Sequence, residues 1–236
     1  MATEIHVVHK EDITRHATVK VSPDAALLPD GSVRVRPKIL SITMTNKTYA
    51  ELGSIFDWWN AWPLPPFVPA PYNDGEQWGI VPSWGYGEIV ESKNPGLTVG
   101  TLLLGQWPTS SLPVEMKFMP TGKPGHFTEV ARSSESEHVM AWNSAVMVVW
   151  SAGWLLTKFC FPTGNTKPIN PMGNGEWSKS DADLRCTVVV SLAASSKTAR
   201  GFSWGLSDRT PGNSPLAMLE VTSSPKSLKA MNRHEY

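Results

Sequence analysis

The sequence is poor in the features that usually announce a chemistry. Only two of its 236 residues are cysteine, Cys160 and Cys186, and they form no close pair. A disulfide scaffold and a Cys-x-x-Cys metal motif are thereby excluded, and a reducing, most simply cytoplasmic, setting is expected. Charge of one sign is missing too: Lys plus Arg and Asp plus Glu number 21 each, with no run of four like charges. Nothing steers such a chain toward nucleic acid or an anionic membrane. The N-terminus, "MATEIHVVHKEDITRH", has no apolar signal core. The most apolar run, "AVMVVWSAGWLLTKFCF", is broken by Lys158 and is short for a bilayer. The six histidines (His6, His9, His16, His126, His138, His234) show no Gly-His-Glu signature and no spacing with a cysteine, so no metal is expected. No Gly-x-Ser-x-Gly elbow supports a serine hydrolase.

What is present is core material and rings. The chain is 41% hydrophobic, enough for one large or two small domains. It carries 11 tryptophans and 20 prolines, and Trp58, Trp59, Trp62, Trp78, Trp84 and Trp107 lie close together. These rings either fill the core of a loop-rich fold or wall a pocket for a bulky, flat ligand. Residues 4–9, 17–21 and 33–43 alternate as strands, with a turn at "LPDGS". "TNKTYAELGSIF" is helix-like, from an Asn or Thr cap. The proline-dense 57–75 reads as an ordered loop. Two strands follow, joined at Asn94-Pro95-Gly96, and Gly85 and Gly87 suggest close backbone approach or a bulge. "LPVEMKFMP" and "GHFTEVAR" read as further strands. Residues 1–135 are thus expected to form a β-barrel domain, ended by "RSSESEH".

Residues 136–236 read differently. The stretch 143–161 is apolar on nearly all faces, as a buried helix would be. After a Gly/Pro/Asn-rich loop come strand 186–192, helix 196–206, a polar turn, strand 216–222 and a helix from about 225, the start of a parallel βαβ sheet. The fold class expected is α+β passing into α/β. Two parallel strands make a poor domain alone, so the second domain is expected to be incomplete, continued elsewhere or completed by a partner. Open edges beside both strands predict a homo-oligomer or poor solubility.

The turn between strand and helix, "VVVSLAASSKTARGFSW", holds Ser195, Ser196, Lys197 and Thr198 and no glycine before Gly201. A helix N-terminus offers unsatisfied N–H groups and partial positive charge to a phosphate. Serine hydroxyls and Lys197 could replace glycine there; equally, Ser195 or Ser196 could simply cap a helix. A P-loop is a third reading, although both of its glycines are serine here.

The order of several motifs resembles the medium-chain dehydrogenase/reductase superfamily, on its quinone- and enoyl-reductase side. They are "NKTYAELG" (46–53), "VPSWGYGEIVES" with "PGLTVGTLLLG" (81–105), "GHFTEVA" (125–131), and "VVVSLAASSKTARGFSW" with "LEVTSSPKSL". The "SSKTA" turn and the "WGYGEIVES" strand look closer still to a branch of unknown function found in fungi and bacteria. The resemblance implies a GroES-like β-barrel followed by a partial, C-terminally truncated Rossmann-like cofactor domain. It implies a zinc-independent reductase of a bulky enoyl or carbonyl small molecule, with Ser195, Ser196, Lys197 and Thr198 on the cofactor's diphosphate. Ser223, Ser224 and Lys226 follow the second strand, with Glu220 inside that strand, and hydroxyls beside a lysine suit the 2′-phosphate of NADP. Tyr49 and Asn46 lie in the cleft-lining stretch as catalytic candidates; their structural alternatives are a core ring and a helix cap. A non-redox binding or isomerase protein, or an inactive relative of the reductase fold, is the other reading.

Overall fold

The computed structural model describes residues 3–23, 26–117, 127–130, 136–226 and 228. His126, His234, residues 118–120 of the "LPVEMKFMP" strand, most of "RSSESEH" and the chain past Leu228 lie outside them. Two compact units, Met1–Ala145 and Val146–Tyr236, make up the chain.

The first unit is built from strands β1 (Thr3–His9), β2 (His16–Val21) and β3 (Ser32–Leu40), helix α1 (Met44–Glu51), and strands β4 (Trp78–Gly79), β5 (Pro82–Ser92), β6 (Leu102–Pro108), β7 (Val114–Lys117) and β8 (Phe127–Val130). Helix α2 (Glu137–Trp142) closes it. Two antiparallel sheets result, ordered β2-β1-β4 and β7-β3-β5-β6-β8. Alternation sends Ile5 and Val7 of β1 and Val19 and Val21 of β2 into one core, with Trp78. Val33, Val35, Ile89, Leu103 and Trp107 form a second. The chain leaving β6 runs along β1: His6 N–H donates to Thr109 O and Ser111 N–H to Glu4 O, each at 2.9 Å. The antiparallel system therefore curls from one sheet toward the other.

Both readings of the β5 glycines hold. A Cβ on Gly85 would lie 2.0 Å from Ile39 O, where β3 shifts register between Pro37 and Ile39. A Cβ on Gly87 would meet the Trp107 ring at 2.8 Å, and Trp107 Nε1–H donates to Gly85 O at 3.1 Å. The proline-dense segment is a succession of turns containing one short 3-10 turn, Trp58–Asn60.

The expected buried helix is the largest correction. A helical run of 24 residues, Glu137–Cys160, comprises α2, a π-turn (Asn143–Met147), α3 (Val148–Leu155) and a second π-turn (Leu156–Cys160). Only 17% of its apolar window is buried. Trp142, Met147, Leu155 and Phe159 are exposed, whereas Ser144, Gly153, Thr157 and Cys160 are buried. The small residues make the contact because they let backbones meet. A Cβ on Gly153 would fall 1.8 Å from Thr198 O, and one on Gly201 2.0 Å from Trp150 O. By length and composition this run could also cross a membrane, contrary to the expectation from the shorter apolar stretch, because the helix starts several residues upstream.

In the second unit, β9 (Val188–Ser191), helix α4 (Lys197–Ser207) and β10 (Ala217–Glu220) follow a long loop. β9 and β10 pair in parallel, Ala217 opposite Val188 and Glu220 opposite Ser191. Glu220 is the last residue of β10, and the backbone pairing runs one residue further, Val221 N–H donating to Ser191 O at 2.8 Å. After β10 the chain re-enters a helical turn, with Leu228 N–H donating to Ser224 O at 3.2 Å.

Candidate functional site

In the first unit the candidates sit on α1. Thr43 caps this helix, its hydroxyl accepting from Thr45 N–H at 3.2 Å, so neither Thr45 nor Asn46 is the cap itself. Asn46 completes a reciprocal cap instead: its Oδ1 accepts from Thr43 N–H at 2.7 Å. Its Nδ2 donates to Pro82 O at 2.9 Å. Asn46 is buried with both ends of its amide engaged, and so it pins α1 to β5.

Tyr49 lies one turn further on, half-buried. Trp84 Nε1–H donates to its hydroxyl at 3.1 Å, and the Trp58 ring stands edge-on 4.6 Å away. The phenol oxygen thus accepts from an indole while its own O–H is left to donate. Ile42, Met44, Ile55 and Phe56 around α1 are exposed. The tryptophans divide accordingly. Trp59, Trp78 and Trp107 are core, Trp62 packs against two cores, and Trp58 and Trp84 frame Tyr49.

In the second unit the strand–turn–helix of the sequence forms. Ser196 is the N-cap of α4, its Oγ accepting from Ala199 N–H at 3.2 Å. Its backbone N–H closes a turn on Ala193 O at 2.8 Å. Thr198 Oγ1 donates to Val149 O at 3.1 Å, so that hydroxyl's proton is already committed. Among the described residues, no acceptor faces the backbone N–H groups of Ser195, Lys197 and Thr198. Gly201, the nearest glycine, serves the contact with α3 and is not available to the turn.

Ala194 N–H donates to Val221 O at 3.1 Å, extending the β9–β10 ladder past its end. This bond brings the 195–198 turn and the 222–226 segment together beyond the carboxyl ends of two parallel strands, where open α/β sheets bind ligands. Ser223, Ser224 and Lys226 are exposed there. Glu220 is drawn back onto α4, accepting from Ser203 Oγ at 2.8 Å. Arg200 was not singled out in the sequence. Its Nη1 is buried without an acceptor among the described residues, and it lies three residues after Lys197, on the same side of the helix. Only the Lys-x-x-Arg spacing could have flagged it. Among the described residues no three His, Cys, Asp or Glu side chains are grouped as metal ligands.

Comparison with curated proteins finds no match. Among solved structures, CurA from Vibrio vulnificus is similar with a TM-score of 0.50 and 12% identity, over 98% of this chain and 55% of that one. The human synaptic vesicle membrane protein VAT-1 homolog-like protein gives 0.49 and 14%, over 98% and 60%. A mutant form of enoyl thioester reductase from Candida tropicalis gives 0.47 and 12%, over 93% and 61%. The chain spans little more than half the length of these proteins, and the likeness is one of fold alone. The sequence profile of a family described as proteins of unknown function (DUF2855) matches residues 40–235. That span is most of the chain, and the protein therefore belongs to the DUF2855 family.

Proposed function

We propose that the protein is a soluble, cytoplasmic, zinc-independent, NADP-linked oxidoreductase that reduces a bulky enoyl or carbonyl compound. In this reading residues 1–135 are a GroES-like barrel and residues 136–236 a partial Rossmann-like unit. The observation that carries it is the turn at the carboxyl end of β9. Three backbone donors without acceptors, at Ser195, Lys197 and Thr198, together with the Lys197 side chain, meet the needs of a diphosphate even though glycine is absent. The orphaned Arg200 donor one turn on fits an anionic group as well.

Bound NADPH would supply the hydride. Ser195, Lys197 and Thr198 would hold the diphosphate through their amides, and Ser196 through its hydroxyl proton, since its oxygen already accepts from Ala199. Ser223, Ser224 and Lys226 would take the 2′-phosphate. Glu220, the acidic residue that would select the ribose hydroxyls of NAD, is engaged with Ser203. Tyr49 would donate its O–H to a substrate oxygen, Asn46 would keep its helix in place, and the exposed apolar residues around α1 would receive a bulky substrate.

Titration with NADPH, followed by quenching of tryptophan fluorescence, tests this. Saturable binding is expected, weaker for NADH, and reduced about tenfold or more by Lys197→Ala through loss of one charged contact. Absence of binding at millimolar NADPH would overturn it. A second reading, a non-redox binding or isomerase protein on the same fold, is favoured by Thr198 Oγ1, whose proton is bound to Val149 rather than presented to a ligand. NADPH binding without oxidation by any enoyl, quinone or carbonyl acceptor would select it.

A further inference from the structure

The loop between α3 and β9 builds a pocket that the reductase reading does not use. The pocket encloses about 320 Å³ and lies wholly in the second unit, at the low end of small-molecule sites, which run roughly 300–1,000 Å³. Its polar lining includes Thr163, Lys179, Asp183, Arg185, Arg209 and Asn213. Leu184 and Arg185 precede β9, and Arg209 follows α4. The pocket thus opens at the amino ends of β9 and β10, opposite the turn at 195–198, and the two share no residue.

Its charges are unequally matched. Asp183 is committed to Arg185: its Oδ1 accepts from Arg185 Nε at 2.9 Å and its Oδ2 from Nη2 at 2.6 Å. Those bonds hold the Asp183 carboxyl down to about 2, so it is ionised at neutral pH. Arg209 is held differently. Its guanidinium donates to the carbonyls of Asn213 at 3.2 Å, Thr157 at 3.4 Å and Phe161, and makes no ion pair among the described residues. Three carbonyls fix the position of the cation, which Asp183 attracts across the pocket without forming a salt bridge, and Nε–H and one Nη1–H are still to donate. Lys179 has no carboxylate partner among the described residues either. The lining therefore carries three cations against one carboxylate.

We propose that this pocket is a second ligand site, which binds a small organic dianion, a phosphomonoester or a dicarboxylate, through Arg209 and Lys179. The anion sits between these two cations, neither of which is held in a salt bridge among the described residues, and the Thr163 hydroxyl supplies a neutral donor. Arg209 is pre-organised by its carbonyl cradle, so little side-chain entropy is lost on binding. Asp183 opposes the anion, and with it the lining keeps a net charge of two positive, which a dianion balances.

The test is thermal-shift and calorimetric titration of the whole chain with sodium phosphate and, separately, sodium succinate, against sodium chloride at matched ionic strength. A saturable rise in Tm is expected with one of the dianions and none with chloride. The anion that saturates distinguishes phosphate from dicarboxylate as the shared chemistry's source. Lys179→Ala, at an exposed position with no internal partner, should weaken binding about tenfold, and Asp183→Asn should tighten it severalfold. NADPH titration of Lys179→Ala should match the unaltered chain, and Lys197→Ala should bind the dianion normally. No saturation by either dianion well above the millimolar range, or equal binding in Lys179→Ala and Asp183→Asn, would overturn the proposal while leaving the reductase reading intact.

Discussion

Asn46 shows how one amide can decide an element's position. It closes the α1 cap and reaches Pro82 O across to β5. Asn46→Ala leaves a buried acceptor and a cap donor unpaired, and should cost about 1–3 kcal/mol in urea unfolding. Gly85→Ala drives a Cβ into Ile39 O; with backbone on both sides, the loss should be about 3 kcal/mol or more. His6 gives a pH signature. Burial first, and His16 second, hold its pKa below the usual 6.5. The folded chain then resists the proton that the unfolded chain accepts. Stability should fall as pH drops from 6.5 to the lowered value and level off beneath it. His6→Gln should flatten that slope in unfolding measured across pH 5–7. The proximity of His6 and His16 was hidden in sequence, because they meet diagonally across the β1–β2 pair.

At the scale of elements, α4 carries two roles that the same residues could confuse. Ser196→Ala removes the cap and should cost about 1 kcal/mol whether or not a nucleotide is present. Thr198→Val removes the bond to Val149 and should act likewise on stability, yet leave NADPH affinity nearly unchanged, since only its amide is free. Gly201→Ala forces α4 off Trp150 O and should unfold the second unit before the first, seen as a split transition by calorimetry. Strands, turn and α4 were legible because alternation and Ser/Thr capping are local signals. The face of the 143–161 helix was not. Its hydropathy pointed to burial all round, but the buried stripe is set by which side can approach α4, and that side is the small one.

Across the whole molecule, β9 and β10 present Val188, Val190 and Leu219 to solvent on one side of a two-stranded sheet. A face this apolar, on two strands whose outer edges are unpaired among the described residues, should drive concentration-dependent association, measurable by light scattering and reduced by Leu219→Lys. The sequence by itself determined the element order, the parallel βαβ of the second unit and the glycines of β5. These depend on periodicity, capping and steric freedom, which act over a few residues. Only the tertiary structure decided that Asn46 is structural, that Thr198 is tied to Val149, that Arg200 keeps an orphaned donor, and that Arg209, Lys179 and Asp183 share a pocket. Those pairings join residues tens of positions apart, and their energies depend on distance and burial, quantities that exist only once the chain has folded.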